Sequence, residues 1–439
     1  MPDSLLVYRL GADPIELPRS QCHLFSRSQM LLGQTCPKKR EFAYHWQGKG
    51  VESTLLSEDL ALGTAVHAGL EEMLKNHIES WPNSIIHCAK VAQREMLNKF
   101  ADGLEVAGES PFGVAPDVAT LLAEEQANLA YALVWTFGRR RLASLLERFE
   151  VMEVEPEICW LVGRTEDEWF NCSGNGDAWQ ELREGKNIVM MSRPDAILRS
   201  RSDGRLWTVS WKTAKRFDGS YVERFESDVQ SLTEGLAVQA KYGEAPAGTL
   251  YTYFLKGDKT FDAETGAKRY TSPLVRPYCQ WSGVGEPQYR GAYKWFDEMG
   301  TEKRCGKGWE RVDIWKSFEM SEWLELLDSG AVHPEANRDW LGEAVVEPEP
   351  RPFNPEYAER WRRKAVQQEG DWIQILQGDR MATQDETGCH VYNRKCTYYG
   401  VCWRGETIED QIASGYKRLR QESNHPAEFG EETIESDSY

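Results

Sequence analysis

NIVMMSRPDAILRSRSDGRLWTVSWKTA, residues 187–214, decides how this chain reads. The apolar run over 187–200 predicts a strand, RSDG at 201–204 a tight turn, and RLWTVSWKTA at 205–214 a returning strand. Asp195 lies on the first leg of this hairpin and Lys212 on the second. Neighbouring strands can present an acid and an amine at one end of a sheet. A metal-dependent phosphodiesterase needs that combination: carboxylate oxygens for a hard divalent ion such as Mg²⁺ or Mn²⁺, and a cation beside the attacking water or the phosphate. Taken alone, the pair is better read as a turn-flanking aspartate and a surface lysine.

Working outward, EVMEVEPEICWLV at 150–162 has a strand pattern, residues 228–243 read as a helix, and GTLYTYFLKG at 248–257 as a further strand. Upstream, helices are expected at 26–46, with a Cys36-Pro37 break, and at 60–75, 84–101 and 117–148. Beyond about residue 270 the pattern is irregular, with helices near 318–328 and 355–378 and a linker or surface arm over 341–356. This is an α/β core with an N-terminal helical insertion. The expected division is an N-terminal arm (1–25), a helical region (26–150), a core (151–300), a cysteine-bearing C-terminal region (301–420) and a disordered acidic tail (421–439).

The 439 residues are 41% hydrophobic, enough for a substantial core, and no run of 18 apolar residues appears. The first twenty residues hold acids and prolines and lack the apolar stretch of a leader. A cytoplasmic protein without a membrane partner is expected. The net charge of −18 counts against a nucleic-acid partner, but a groove needs only local basicity. Basic clusters stand at Lys38-Lys39-Arg40, Arg139-Arg140-Arg141, Arg360 with Arg362-Arg363-Lys364, and Lys417-Arg418-Leu419-Arg420. Each also reads as an ordinary solvated face. Nearby aromatic side chains such as Trp361 and Tyr44 could help to line such a groove.

Two further patterns carry chemistry. Gly63-x-x-x-His67 puts a small residue and an imidazole one helical turn apart on one face, so the helix could approach a strand and offer a metal nitrogen; a core or capping histidine is the alternative. Cys389-x6-Cys396-x5-Cys402 groups three of the ten cysteines within fourteen residues, a spacing suited to metal ligation, with Cys36 as the fourth candidate. Zinc remains open there, with His390 able to replace one thiol.

The order of these features resembles the iron–sulfur members of the PD-(D/E)XK nuclease superfamily: AddB-type subunits, CRISPR-associated RecB-like exonucleases and related phage nucleases. The shared elements are Cys36-Pro37-Lys38-Lys39, the Gly63–His67 helix, Arg193-Pro194-Asp195, Ser210-Trp211-Lys212-Thr213, a helix carrying Gln230, and the three late cysteines. The resemblance implies a restriction-endonuclease-like core closed by a C-terminal iron–sulfur segment. It implies that His67 and Asp195 hold Mg or Mn, that Lys212 activates water, and that Gln230, or alternatively Gln239, orients the site. It also implies that Cys36, Cys389, Cys396 and Cys402 hold a 4Fe-4S cluster. The expected function is a DNA exonuclease acting on single strands or duplex ends in recombination, repair or processing, with a helicase or recombination partner on a separate chain, since no G-x-x-x-x-G-K-(S/T) motif is present.

One position departs from the pattern. The second acid of the family stands two residues before the lysine, where this chain has Ser210. A moved acid is sought at Glu155, Glu157, Glu223, Glu226, Asp228 or Glu71. The competing expectation is a catalytically inactive nuclease fold serving as a DNA-binding or assembly subunit.

Overall fold

The structure, a computed structural model, describes residues 4–53, 57–76, 83–107, 116–164, 186–217, 229–262 and 267–270, and, with short gaps, 272–415 and 417–420. Where sequence predicts an arm, the chain builds β1 (Ser4–Arg9), β2 (Ala12–Pro18) and β3 (Cys22–Ser26). Helix α1 (Arg27–Thr35) starts from a capping box: the Ser26 hydroxyl accepts from the Gln29 amide, and the Gln29 side chain accepts from the Ser26 amide. Cys36 is extended, as the residue before a proline prefers, and Pro37 opens α2 (Pro37–Arg40), where its missing N–H is no loss. There follow β4 (Val51–Ser53), α3 (Glu58–Lys75), α4 (Asn83–Ala107), α5 (Pro116–Phe137) and α6 (Ala143–Arg148).

The core elements are β5 (Phe149–Val154), β6 (Ile158–Arg164), β7 (Asn187–Ser192), β8 (Ala196–Ser200), β9 (Leu206–Ala214), α7 (Val229–Tyr242) and β10 (Gly248–Leu255). Later come α8 (Met320–Asp328), β11 (Val345–Val346), β12 (Arg351–Pro352), α9 (Pro355–Leu376), α10 (Tyr399–Trp403) and β13 (Lys417–Leu419). The irregular stretch also holds short paired strands, such as Tyr278–Trp281 against Trp309–Val312. Residues 421–439, expected to be a disordered tail, lie outside the described residues. Among the described residues no helix is long and apolar enough to cross a membrane.

Two sheets share one long bent hairpin. In the first, β5/β8 and β8/β9 are antiparallel, and β9/β10 is parallel, joined through α7 as parallel neighbours require. β11 and β12, from the segment expected to be a linker, both pair with β10 and cover that edge. The second sheet runs β2-β1-β6-β7-β3, with β3 parallel to β7. Sequence predicts one strand over 187–200 and one over 150–162; both are broken at the same level. Pro194 lacks an N–H for a ladder, and Glu155, before Pro156, takes a positive φ of 47°. The Glu155 amide donates to the Asp195 carbonyl at 3.0 Å, so the two breaks form one corner where the hairpin passes between sheets. Asp195 sits on that corner.

Strand alternation assigns the two faces of β9. Val209 and Trp211 pack with Leu62, Val66 and Leu70 of α3 and with Leu129 and Leu133 of α5. Leu206 faces the other way, into a core with Leu236 and Val238 of α7 and Val366 and Ile373 of α9. Ser210 and Lys212 share the Leu206 face by period two, and so point toward α7. Trp361 belongs to this second core, with its ring centroid 6.4 Å from that of Trp160. It is therefore not available to line a nucleic-acid groove. A Cβ at Gly63 would meet only Thr213 Oγ1, at an ordinary 3.4 Å. The glycine that the helices need is Gly69, where a Cβ would stand 2.9 Å from atoms of Ala92, Cys88 and Val134.

Candidate active site

Asp195 is anchored by its backbone neighbour. Its Oδ2 accepts from the Trp211 amide at 2.5 Å, and the residue is almost buried. On the α3 side, His67 Nε2 lies 3.2 Å from the Trp211 carbonyl and Nδ1 lies 3.4 Å from Asp195 Oδ1. A carbonyl can only accept, so Nε2 carries the proton, and in the neutral ring the Nδ1 lone pair faces the carboxylate. Two electron-rich atoms facing each other call for a cation between them, either a proton or a metal ion.

On the α7 side, Lys212 Nζ donates to Gln230 Oε1 at 2.5 Å, and Gln230 Nε2 donates to Glu234 Oε1 at 2.7 Å. Glu234 is buried, and among the described residues its Oε2 has no hydrogen-bond partner. Ser210 Oγ is likewise buried and unpartnered. Burial pushes the Glu234 carboxyl up to about 8; Asp195 pushes it the same way, while Lys212, the Gln230 bond and Arg27 pull it back. An acid thus stands on helix α7, on the side of the sheet to which Ser210 points.

Glu155 approaches from the corner. Burial raises its carboxyl, Arg193 lowers it through an ion pair, and Glu71, His67 and Asp195 act on it as neighbours. Glu71 pairs with Lys75, and Glu157 is exposed. Gln239 is half-buried two turns further along α7. Glu223, Glu226 and Asp228 lie outside the described residues. Glu234 is the residue the sequence reading passed over. Its one signal was the i, i+4 spacing from Gln230, which puts both on one helix face. Among the described residues, no three His, Cys, Asp or Glu side chains are already arranged to hold an ion.

Residues 24–403 match the family profile of the PD-(D/E)XK nuclease superfamily. The chain belongs to that superfamily. No curated protein matches it at a significant level. The superfamily span takes in Asp195, Lys212 and all four cysteines singled out from sequence. PD-(D/E)XK proteins are typically nucleases and commonly use Mg or Mn, and a nuclease fold implies a DNA substrate.

The C-terminal segment packs back on the N-terminal one. The Lys38 amide donates to the Thr383 carbonyl, and β13 pairs with β4. Phe42 and Tyr44 pack with Tyr398 and Ile408, and Cys396 and Cys402 lie against this cluster. The Cys402 thiol is raised by burial and then by the charges of Cys396, Cys36 and Cys389. Trp403 Nε1 donates to Cys389 Sγ at 3.3 Å. Cys22 and Cys88 are different: each is buried, with its thiol pushed up to about 11 and about 12 respectively.

Most arginines of the basic clusters have partners within the chain, Arg40 in the interior and several others at the surface. Arg40 makes a two-pronged bond to Glu369, at 2.9 and 2.7 Å, and Glu369 also pairs with His23 at 2.9 Å, all three buried. Arg139 and Arg140 hold Asp328, Arg362 and Arg363 hold Glu359, Arg418 holds Glu52, and Arg420 donates to the Ala43 carbonyl across the Tyr44 ring. Lys215 and Arg216, just beyond Lys212, are exposed.

Proposed function

We propose that this protein is a divalent-metal-dependent deoxyribonuclease whose second acid has moved from the Ser210 position to Glu234. The observation that carries this reading is the line Lys212–Gln230–Glu234, closed on the far side by Asp195 and His67. A buried glutamate with an orphan oxygen and a raised pKa costs stability, and a fold keeps such a group where it has work to do. His67 Nδ1, Asp195 and Glu234 fit a hard ion by donor type, and the exchange leaves a serine where a carboxylate would crowd Glu234. A bound ion would lower the pKa of its water and neutralise charge developing at phosphorus. Lys212 would orient the attacking water and stabilise the phosphate. Gln230 fixes the Lys212 ammonium and so positions it.

The finer reading is a RecB-like iron–sulfur exonuclease acting on single strands or duplex ends, with a recombination or repair role of the phage-nuclease kind. Its support is the order of the motifs and the electrostatic influence of Cys36, Cys389 and Cys396 on Cys402, four soft thiol donors of a kind that suits an iron–sulfur cluster. Such a cluster would staple the N-terminal segment to the C-terminal one.

The test is cleavage of end-labelled single- and double-stranded DNA with Mg²⁺, Mn²⁺ or chelator, alongside Lys212→Ala. Metal-dependent loss of label from ends, abolished by the substitution, is expected. No cleavage under any divalent ion, with DNA still bound, would replace this reading with the inactive DNA-binding subunit.

A further inference from the structure

Arg27 differs from the arginines of the basic clusters. It is the first residue of α1, half-buried, and among the described residues it makes no hydrogen bond or ion pair. The arginine clusters described above are held by carboxylates or carbonyls. Its position is also electrostatically unfavourable: the first turn of a helix carries partial positive charge, and α1 has no acid in that turn to offset the guanidinium.

The topology brings Arg27 to the catalytic corner. β3 and β7 run parallel in register, with Ser26 beside Met191. One chain therefore leaves its strand into Arg27 while the other leaves Ser192 toward Asp195. Met30, one turn further along α1, is sealed into the core that holds Leu236 and Ala237 of α7. α1 and the helix bearing Gln230 and Glu234 therefore border one core. Arg27 is near enough for its charge to lower the Glu234 carboxyl.

A guanidinium with no hydrogen-bond or ion-pair partner among the described residues, at a helix start and beside a site for phosphodiester chemistry, has the character of an anion receptor. We infer that Arg27 is a substrate-binding residue, taking the non-bridging oxygens of a phosphate in the strand being cut. Guanidinium is suited to this because its planar fork offers two parallel N–H bonds to a phosphate. The inference rests on the nuclease reading for the identity of the ligand as nucleic acid, but its geometry is independent of whether the site turns over.

The alternative role for Arg27 is to hold Glu234 ionised, and the two roles separate experimentally. Binding of a fluorescent single-stranded oligonucleotide is followed by anisotropy in chelator, across a salt series, for wild type, Arg27→Gln, Arg27→Lys and the remote Arg360→Gln. Melting temperature is recorded in parallel. With a phosphate contact, Arg27→Gln weakens binding about tenfold and flattens the log–log salt slope by roughly one. Arg27→Lys keeps the slope and recovers part of the affinity, Arg360→Gln changes neither, and no variant melts lower than wild type. An unchanged slope in Arg27→Gln, with its effect confined to a displaced pH–rate profile, overturns the inference. So does a wild type that binds no nucleic acid. Binding that responds to Arg27 in a protein that never cleaves would leave the phosphate contact standing and remove the nuclease reading; normal cleavage with an unresponsive slope would do the reverse.

Discussion

Glu369 and Glu234 are both sealed from solvent, one between α9 and the N-terminal segment and the other at the candidate active site, yet the fold treats them in opposite ways. Glu369 receives two bonds from Arg40 and one from His23, and Arg40 lies over the Trp372 ring at 4.4 Å. Burial alone would raise the Glu369 carboxyl, but Arg40 and His23 hold it down at about 2. Glu234 has one neutral donor, an orphan oxygen and a carboxyl raised to about 8. A carboxylate whose bonds are all made binds two parts of a fold together. One left short of partners is available to something that is not protein.

The comparison predicts crossed phenotypes. Glu234→Gln should lower metal-dependent cleavage by about 100-fold or more, the scale of losing a group that acts in the transition state, while leaving the melting temperature unchanged or higher. Kinetics and melting on the same preparation check this, and a loss of fold stability in Glu234→Gln would make Glu234 structural too. Glu369→Ala should do the opposite. It strands Arg40 and His23 in the interior and should cost about 3–5 kcal/mol of stability by denaturant titration, with the rate per folded molecule kept.

The thiol junction gives the next largest effect. Protein purified without oxygen should be brown and contain iron, and Cys396→Ala should lose both colour and iron and melt lower, because the ligands close a very long loop. Zinc without iron on elemental analysis would retire the cluster and leave a zinc site.

The smallest effect is a pair of opposite pH slopes. Glu369, low in the folded state, contributes stability that is present above about 4.5 and is lost as pH falls toward 2. Glu234 keeps its proton when folded until about 8 but loses it near 4.5 when unfolded, so its burial makes stability fall as pH rises between those values. Melting in chelator across pH 4.5–8 should decline less steeply in Glu234→Gln than in wild type. Parallel curves would mean that Glu234 ionises freely.

Asp195, Lys212 and the hairpin that presents them were legible because strand pattern and turn chemistry act over a few residues. Gln230 was reached only through the order of motifs, whereas Cys389, Cys396 and Cys402 were singled out by their local spacing. The corner was half-legible: Pro156 and Pro194 were in view, but that both break at one level depends on the pairing of Val154 with Ala196 and Ile158 with Ser192. Glu234 was hidden because a glutamate on an amphipathic helix normally faces water, and only the packing of α7 on β9 turns it inward. Glu369 was hidden for another reason: its partners His23 and Arg40 lie 346 and 329 residues away in sequence.

The central claim is that Glu234 does the work of the acid missing at 210, and moving the acid back tests it most directly. Cleavage of labelled DNA in Mg²⁺ is compared for wild type, Glu234→Gln, Ser210→Asp and the double variant Ser210→Asp/Glu234→Gln. The account predicts loss of cleavage in Glu234→Gln, reduced activity in Ser210→Asp from two carboxylates crowded in one buried space, and recovery in the double variant above either single change. Wild-type rates in Glu234→Gln, or a double variant no better than Glu234→Gln alone, would contradict it.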